Sequence, residues 1–566
     1  MGFGALKALV AGDDDVSDTR EGASREARSW STADRVLVAL LAIVGTFCLL
    51  QLLWMKYGRD QGIYAVVADT VLRGGMPYRD AWDFKPPGIF FVYIIAHLLF
   101  GSNEWSIRAV EVMAFLSLVP IMGTLARRFF GDARVGWVAA VLSIWIQSQL
   151  EFWHTAQPES FGGVLALAGL AISTHPSSLD NRGQRWKPWV LGLLAGFFFG
   201  ASGLMKPHLF GVALVAATHA VWTLRKSGHG WRRQLAAFST IGFGSVIPIV
   251  LCIVWFAARG ALSDLHHTLF VFAPCYASTT WNQQQFFHYL YAAAYRVTGG
   301  YSAIVGIGMV LTAVWGKRTT REREGLLLIA LAALPQVLGI AIQSKFFAYH
   351  FGATFPFCAL FASVGIWRTW QYAQRWPWLG PTLFALGTVA AADARTATVD
   401  LSDSFLQRSF KRTRAMLFES KEQRDRIDGE LYTVADVHYG ANRRVAQWLE
   451  QHTSSQDTVF IWGFEPHIYA ASARRPASRF IYNVPQRVAW ENQWARDVLM
   501  EDLRKDPPKV IVVEHGDIFP IVTGNHSDSA HALASFPELE QWMETYRKQD
   551  RIQDFDIFVR EINATP

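Results

Sequence analysis

Charge is scarce in this chain. Only 18% of its 566 residues are Asp, Glu, Lys or Arg, against about a quarter in an ordinary soluble domain. The length would hold roughly three or four soluble domains, but this composition excludes a soluble enzyme and a charge-rich disordered protein. Cysteine is scarcer still. Cys48, Cys252, Cys275 and Cys358 are the full set, and three of them lie inside apolar runs, so no disulfide framework is expected. Signatures of soluble catalysis are missing too. There is no phosphate-binding Walker loop, no His-Glu-x-x-His and no Gly-x-Ser-x-Gly, which leaves an ATP-driven pump without support.

Apolar and aromatic residues are abundant instead. Hydrophobic residues make up 51% of the chain, with 23 Trp and 39 Phe. They are gathered into runs such as Val36–Trp54 and Ala236–Ala258, long enough to cross a bilayer. The formal charge of +6 is no sign of nucleic-acid binding, because the basic residues collect in short loops between those runs.

Eleven spans are expected, at 36–54, 106–126, 135–150, 158–174, 189–205, 208–224, 235–258, 299–316, 325–342, 351–369 and 376–392. The apolar stretch Ile89–Phe100 follows Pro86-Pro87-Gly88 and is too short to cross, so it reads as an amphipathic surface helix. With that choice the basic loops around Arg127, Arg185, Lys226, Arg321 and Arg375 share one side with the N-terminal tail. The positive-inside rule makes that side cytoplasmic. The expected architecture is a mostly α polytopic bundle with a long first external loop (55–105) holding juxtamembrane helices. Residues 1–35 read as a disordered cytoplasmic tail, 36–393 as the transmembrane catalytic unit and 394–566 as an external C-terminal α/β domain. In that last part Thr458–Trp462 and Val510–Val513 are β-rich runs among amphipathic helical segments.

The unusual polar residues fall on the external face. Asp60 lies just beyond the first span. A carboxylate there can accept a proton from an alcohol, or it can cap the helix that follows. Lys85 and Lys206 each precede a proline. Each either snorkels to the interface or offers a compact cation to a phosphate. Tyr64, Asp83, Glu159, His266, Lys345, Tyr349 and His350 complete the candidate substrate-binding set. His266 and His267 are adjacent and do not match zinc spacing. No metal site is assigned; a divalent metal stays open as a cofactor, with no clear site for one.

These features resemble the GT-C superfamily of integral-membrane glycosyltransferases, and within it the group of protein O-mannosyltransferases, the lipid A aminoarabinose transferase and the lipopolysaccharide-core galacturonosyltransferases. Asp60 with Tyr64 resembles the Asp-Glu-x-x-Tyr motif of the first loop. Asp83-Phe84-Lys85-Pro86-Pro87, Gly203–Pro207, Lys345–Pro356 and the stretch from Trp462-Gly463 to Arg479 resemble later family segments. The resemblance implies transfer of a sugar from a polyprenyl-phosphate-linked donor to a hydroxyl acceptor in the cell envelope. Asp60 would be the base, and Lys85 and Lys206 would hold the donor phosphate. It also implies an integral protein of the bacterial inner membrane with its active site outside, and no nucleic-acid partner. Gln61 and Phe84 depart from the family pattern, the first replacing an acid and the second standing where some relatives carry a metal-binding Glu. A base without a second nucleophilic carboxylate implies inversion. Two other classes remain: a transporter or flippase of lipid-linked sugars, and a non-catalytic glycan-binding or assembly protein.

Overall fold

The computed structural model describes residues 30–175, 187–279, 302–316, 318–376, 404–431 and 438–561, with a few isolated residues of 286–291 and 378–387 besides. Helices long and apolar enough to cross a membrane run over Thr32–Leu53, Glu104–Phe130, Pro188–Met205, Pro207–Lys226, Trp231–Ala258 and Thr320–Gln343. Shorter helices at Ala133–Gln149, Pro158–Ser173, Ala303–Val314 and Phe355–Ala373 pack among them. The first ten expected spans each fall on one of these helices, and the eleventh, 376–392, lies largely outside the described residues. Outward faces are apolar: Leu214, Phe243, Leu251, Ile307 and Ile342 are exposed, as lipid-facing residues are. The chain is a multi-pass membrane protein.

The first helix starts at Thr32, earlier than its apolar run. Ser31 accepts a hydrogen bond from the Asp34 amide and Asp34 accepts one from the Ser31 amide, a reciprocal cap that satisfies two orphan donors. Asp34 also pairs with Arg134 at 2.9 Å and accepts from Gln374 and Trp370. At the same end Arg368 pairs with Glu322 and His219 with Glu324. These ion pairs gather the starts of Thr32–Leu53, Ala133–Gln149 and Thr320–Gln343 with the end of Phe355–Ala373.

At the opposite end the first loop forms two juxtamembrane helices, Arg59–Leu72 and Gly88–Phe100. The second is the short apolar stretch, with Ile89, Phe90 and Tyr93 buried and Ile95, Leu98 and Leu99 exposed. Gly88 is required by packing. A Cβ there would lie 2.6 Å from the Leu204 carbonyl, so this helix starts in direct contact with the end of Pro188–Met205. Lys85 and Lys206, far apart in the chain, flank that contact.

The C-terminal part carries a five-stranded sheet. Its strands are β1 (Thr458–Trp462), β2 (Arg475–Pro476), β3 (Val510–Glu514), β4 (Tyr546–Ile552) and β5 (Phe555–Arg560), in the order β2-β1-β3-β5-β4. β2, β1 and β3 are parallel, and β5 and β4 add an antiparallel hairpin. β1 and β3 are buried along their whole length, as the central strands of a covered parallel sheet are. The core runs on from this sheet into the first loop, through Trp82, Phe480, Tyr482 and Phe464. A Cβ at Gly62 would lie 2.7 Å from the His467 amide nitrogen, so the helix carrying Asp60 sits directly on the sheet domain.

Candidate active site

Asp60 occupies the first turn of Arg59–Leu72 but does not cap it. Gly58 is the cap residue, and its amide donates to Gln61 Oε1 at 2.9 Å. The capping alternative for Asp60 is thus met by its neighbour, the residue that departs from the family pattern. Asp60 faces inward instead. Its Oδ1 lies 3.6 Å from Lys85 Nζ and its Oδ2 accepts from Gln157 Nε2 at 3.1 Å. The same Gln157 accepts from the Tyr64 hydroxyl at 3.0 Å.

Lys85 also lies 3.6 Å from Asp83, which the Tyr482 hydroxyl holds at 2.7 Å from the C-terminal domain. Its ammonium stands over the rings of Phe84 and Tyr64, at 4.5 and 5.6 Å. Burial opposes its charge, but Asp60, Asp83 and Glu159 together outweigh burial and hold its pKa above the ordinary lysine value. Lys85 is therefore a fixed cation in a dry setting. Asp60 keeps 20% of its side chain exposed, whereas Asp83 and Glu159 keep none. Asp60 alone of the three can meet an incoming hydroxyl.

Lys206 has more company than its sequence neighbours suggest. Its Nζ lies 3.1 Å from Glu159 and donates to Gln343 Oε1 at 3.2 Å. His208, the polar neighbour visible in the sequence, packs instead against Gly339. Tyr349 packs against His154 and His350, with ring centroids 5.3 and 4.6 Å away. Burial pushes His154 down to about 3 and His350 well below the ordinary histidine value, so both are neutral. Lys345 donates to Thr279 and to the Ile521 carbonyl, at 3.2 and 2.8 Å, and burial pushes it down to about 7. It ties Thr279, which follows Trp231–Ala258 in the chain, to the C-terminal domain through Ile521.

His266 is not brought to this cluster. It is exposed and stacks on Phe270, with centroids 5.5 Å apart. Phe84 offers no metal donor, and Lys85 already covers its ring. No group of three or more His, Cys, Asp or Glu is placed to hold a metal among the described residues.

The sequence reading passed over Gln157 and Tyr482. Gln157 is fixed from below. Glu111 Oε1 accepts from the Ala156 amide at 2.6 Å, and Arg108 pairs with Glu111 while donating to the Met55 and Phe152 carbonyls. The left-handed backbone at Ala156 (φ 53°) turns Gln157 toward Asp60. Glu151, in the same loop, is held by Arg408 and Arg412 at 2.9 and 2.7 Å.

The bundle, the two juxtamembrane helices and the appended sheet define a GT-C type fold, as the first-loop resemblance implies. The crystal structure of ArnT from Cupriavidus metallidurans bound to undecaprenyl phosphate is similar at a TM-score of 0.56 and 15% identity, over 95% of this chain and 100% of that one. Two undecaprenyl phosphate-alpha-4-amino-4-deoxy-L-arabinose arabinosyl transferases, from Pseudomonas paraeruginosa and Pseudomonas aeruginosa, are each 26% identical over 38% of this chain and 39% of their own length. The chain thus spans about two fifths of the length of the curated relatives it matches. No family model matches it.

Proposed function

We propose that this protein is a membrane glycosyltransferase that moves a sugar from a polyprenyl-phosphate-linked donor to a hydroxyl acceptor. The observation that carries this reading is the pairing of one accessible carboxylate with a buried, fixed lysine: Asp60 at 3.6 Å from Lys85, with Lys206 at the adjoining helix end. The similarity to transferases named for an undecaprenyl-phosphate-linked sugar supports it.

The chemistry follows from the geometry. Lys85 and Lys206 take the donor phosphate, whose charge grows as the sugar–oxygen bond breaks; fixed cations in a dry site stabilise that charge most. Asp60 takes the acceptor proton as the acceptor oxygen bonds to the anomeric carbon. The polyprenyl phosphate leaves. Asp83 and Glu159 are buried and paired with lysines, so neither is free to act as a second nucleophile, and a single displacement inverts the anomeric centre.

The domain division proposed is a cytoplasmic tail (1–35), a membrane catalytic unit (36–393) and an external α/β domain (394–566). The protein sits in the bacterial inner membrane with its N-terminus in the cytoplasm and its active site outside. Cysteine labelling at exposed Ser102 and exposed Arg127 tests the orientation: Ser102→Cys reacts from outside and Arg127→Cys from inside. The function is tested by incubating purified protein with a panel of undecaprenyl-phosphate sugars. Release of undecaprenyl phosphate from at least one is expected, and no binding or release from any of them overturns the reading.

A further inference from the structure

A cavity of about 170 Å³ is lined by Tyr78, Trp82, Asp264, His267, Arg479 and Trp494, with Ser263 and Thr268. It is bounded by the first loop, the segment 263–268 and the C-terminal domain. Trp82 lines the cavity, and Lys85, three residues on, lies 3.6 Å from Asp83 and over the Phe84 ring. The cavity and the proposed donor site are thus neighbours along the segment Trp82–Lys85.

The lining is aromatic with a few polar groups, the usual make-up of a small-molecule site. Trp82 is 1% exposed, and its indole N–H is buried without a hydrogen-bond partner among the described residues. A buried donor left open calls for an explanation, and a ligand acceptor in the cavity supplies one. The Asp264 carboxylate accepts from the Ser263 hydroxyl at 3.4 Å and lies within charge range of Arg79 and Arg479. Arg479 gives Nε and Nη2 to Asp502 at 3.1 Å each, which leaves Nη1 outside that pair. His267 is fixed by Glu491 at 2.9 Å and holds Trp494 at the rim, ring centroids 4.5 Å apart.

We propose that this cavity is a carbohydrate subsite that takes a pyranose unit of the acceptor beside the reacting one. A pyranose has an apolar C–H face for Trp494, and a belt of hydroxyls for Asp264, Arg479 and the open indole N–H of Trp82. The volume, room for on the order of five waters, suits one sugar ring and is too small for a folded peptide segment. The assignment of the ligand as acceptor rests on the glycosyltransferase reading. The carbohydrate specificity rests on the cavity alone.

Saturation-transfer NMR on the detergent-purified full chain tests it, with the methyl glycosides of glucose, galactose, mannose and N-acetylglucosamine as probes. At least one glycoside should receive saturation. Trp494→Ala should weaken that binding roughly three- to tenfold through lost stacking, with Trp494→Phe restoring part of it. Asp264→Asn should weaken it roughly tenfold. Both variants should keep the wild-type rate of donor hydrolysis to water, since neither residue touches the donor cluster. No transfer to any glycoside, or transfer indifferent to both variants, overturns the subsite. Glycoside binding that behaves as expected in a protein that never cleaves a polyprenyl-phosphate sugar would keep the subsite and remove the glycosyltransferase reading.

Discussion

Arg59 and Asp60 are adjacent on one helical turn and belong to two differently built regions. Arg59 points at the C-terminal domain. It donates to Glu465 through Nε and Nη2, at 3.0 and 2.7 Å, and lies over Phe464 at 4.4 Å. Glu465 is completed by Asn442 at 2.6 Å. Asp60 points at the membrane cluster, where its lysine stands at 3.6 Å, beyond hydrogen-bond length. Glu159 and Lys206 are closer, at 3.1 Å, and Lys206 also reaches Gln343. The docking region satisfies its charges with one another. The cluster holds charges of both signs close together but leaves bonding capacity for something else. A pair built for docking closes on itself, whereas under the proposed function the cluster would stay loose until a donor phosphate and an acceptor proton arrive.

Asp60→Asn is the largest test of that difference. Gln61 does the capping, so the substitution should leave thermal stability near wild type. Turnover of the lipid-linked donor should fall by roughly 10²–10⁴, the contribution of general-base catalysis. A normal transfer rate in Asp60→Asn would dissolve the distinction between the two residues. The opposite behaviour is expected one position earlier. Glu465→Gln removes the carboxylate that Arg59 grips directly and leaves only Glu514 and Asp517 as counter-charges, a loss of at most about 3–5 kcal/mol, read as a fall in melting temperature. Per folded molecule, donor turnover should change far less than in Asp60→Asn.

The lysines come next. Lys85→Met and Lys206→Met each remove a charge-assisted contact to the donor phosphate, worth about 1.5–3 kcal/mol. The expected result is a rise of roughly ten- to a hundredfold in donor KM. If both variants keep wild-type kinetics, the lysines only balance Asp60, Asp83 and Glu159, and the cluster is another closed region.

Much of this division could be read from the chain, and the parts that could not have physical reasons. Asp60 stood out as a carboxylate just beyond the first span, and Lys85 and Lys206 as lone lysines before prolines in an apolar sequence. Thr458–Trp462 and the start of the Val510–Glu514 strand were visible because both strands are buried on two faces and read as continuous apolar runs. The β4 strand was not. Its sequence, Tyr-Arg-Lys-Gln-Asp-Arg-Ile, is mostly exposed at the sheet edge, and an edge strand of charged residues carries no apolar alternation. Glu159 as the partner of Lys206 was hidden by sequence separation. Gln157 was hidden by chemistry, since an amide in a loop has no charge to mark it, and its role depends on a buried Arg108–Glu111 pair beneath it.

The smallest effect is expected where the two regions touch. Tyr482 belongs to the sheet domain, yet its hydroxyl donates to Asp83, which faces Lys85. Tyr482→Phe keeps the ring and its packing on Trp82 and Phe464 and removes only the hydrogen bond, a loss of about 1 kcal/mol. Asp83 keeps its lysine and the Lys85 amide, 3.4 Å from Oδ2, so folding should survive. With one donor gone, Asp83 competes harder for the Lys85 ammonium and holds it back from the donor phosphate. Donor KM should then rise by roughly fivefold with kcat nearly unchanged, while Glu465→Gln lowers stability without that KM shift. A Tyr482→Phe enzyme that is less stable but has the wild-type donor KM would place Tyr482 with Arg59, as part of the docking surface alone. The expected split would instead show that the C-terminal domain sets the charge balance of the site it covers.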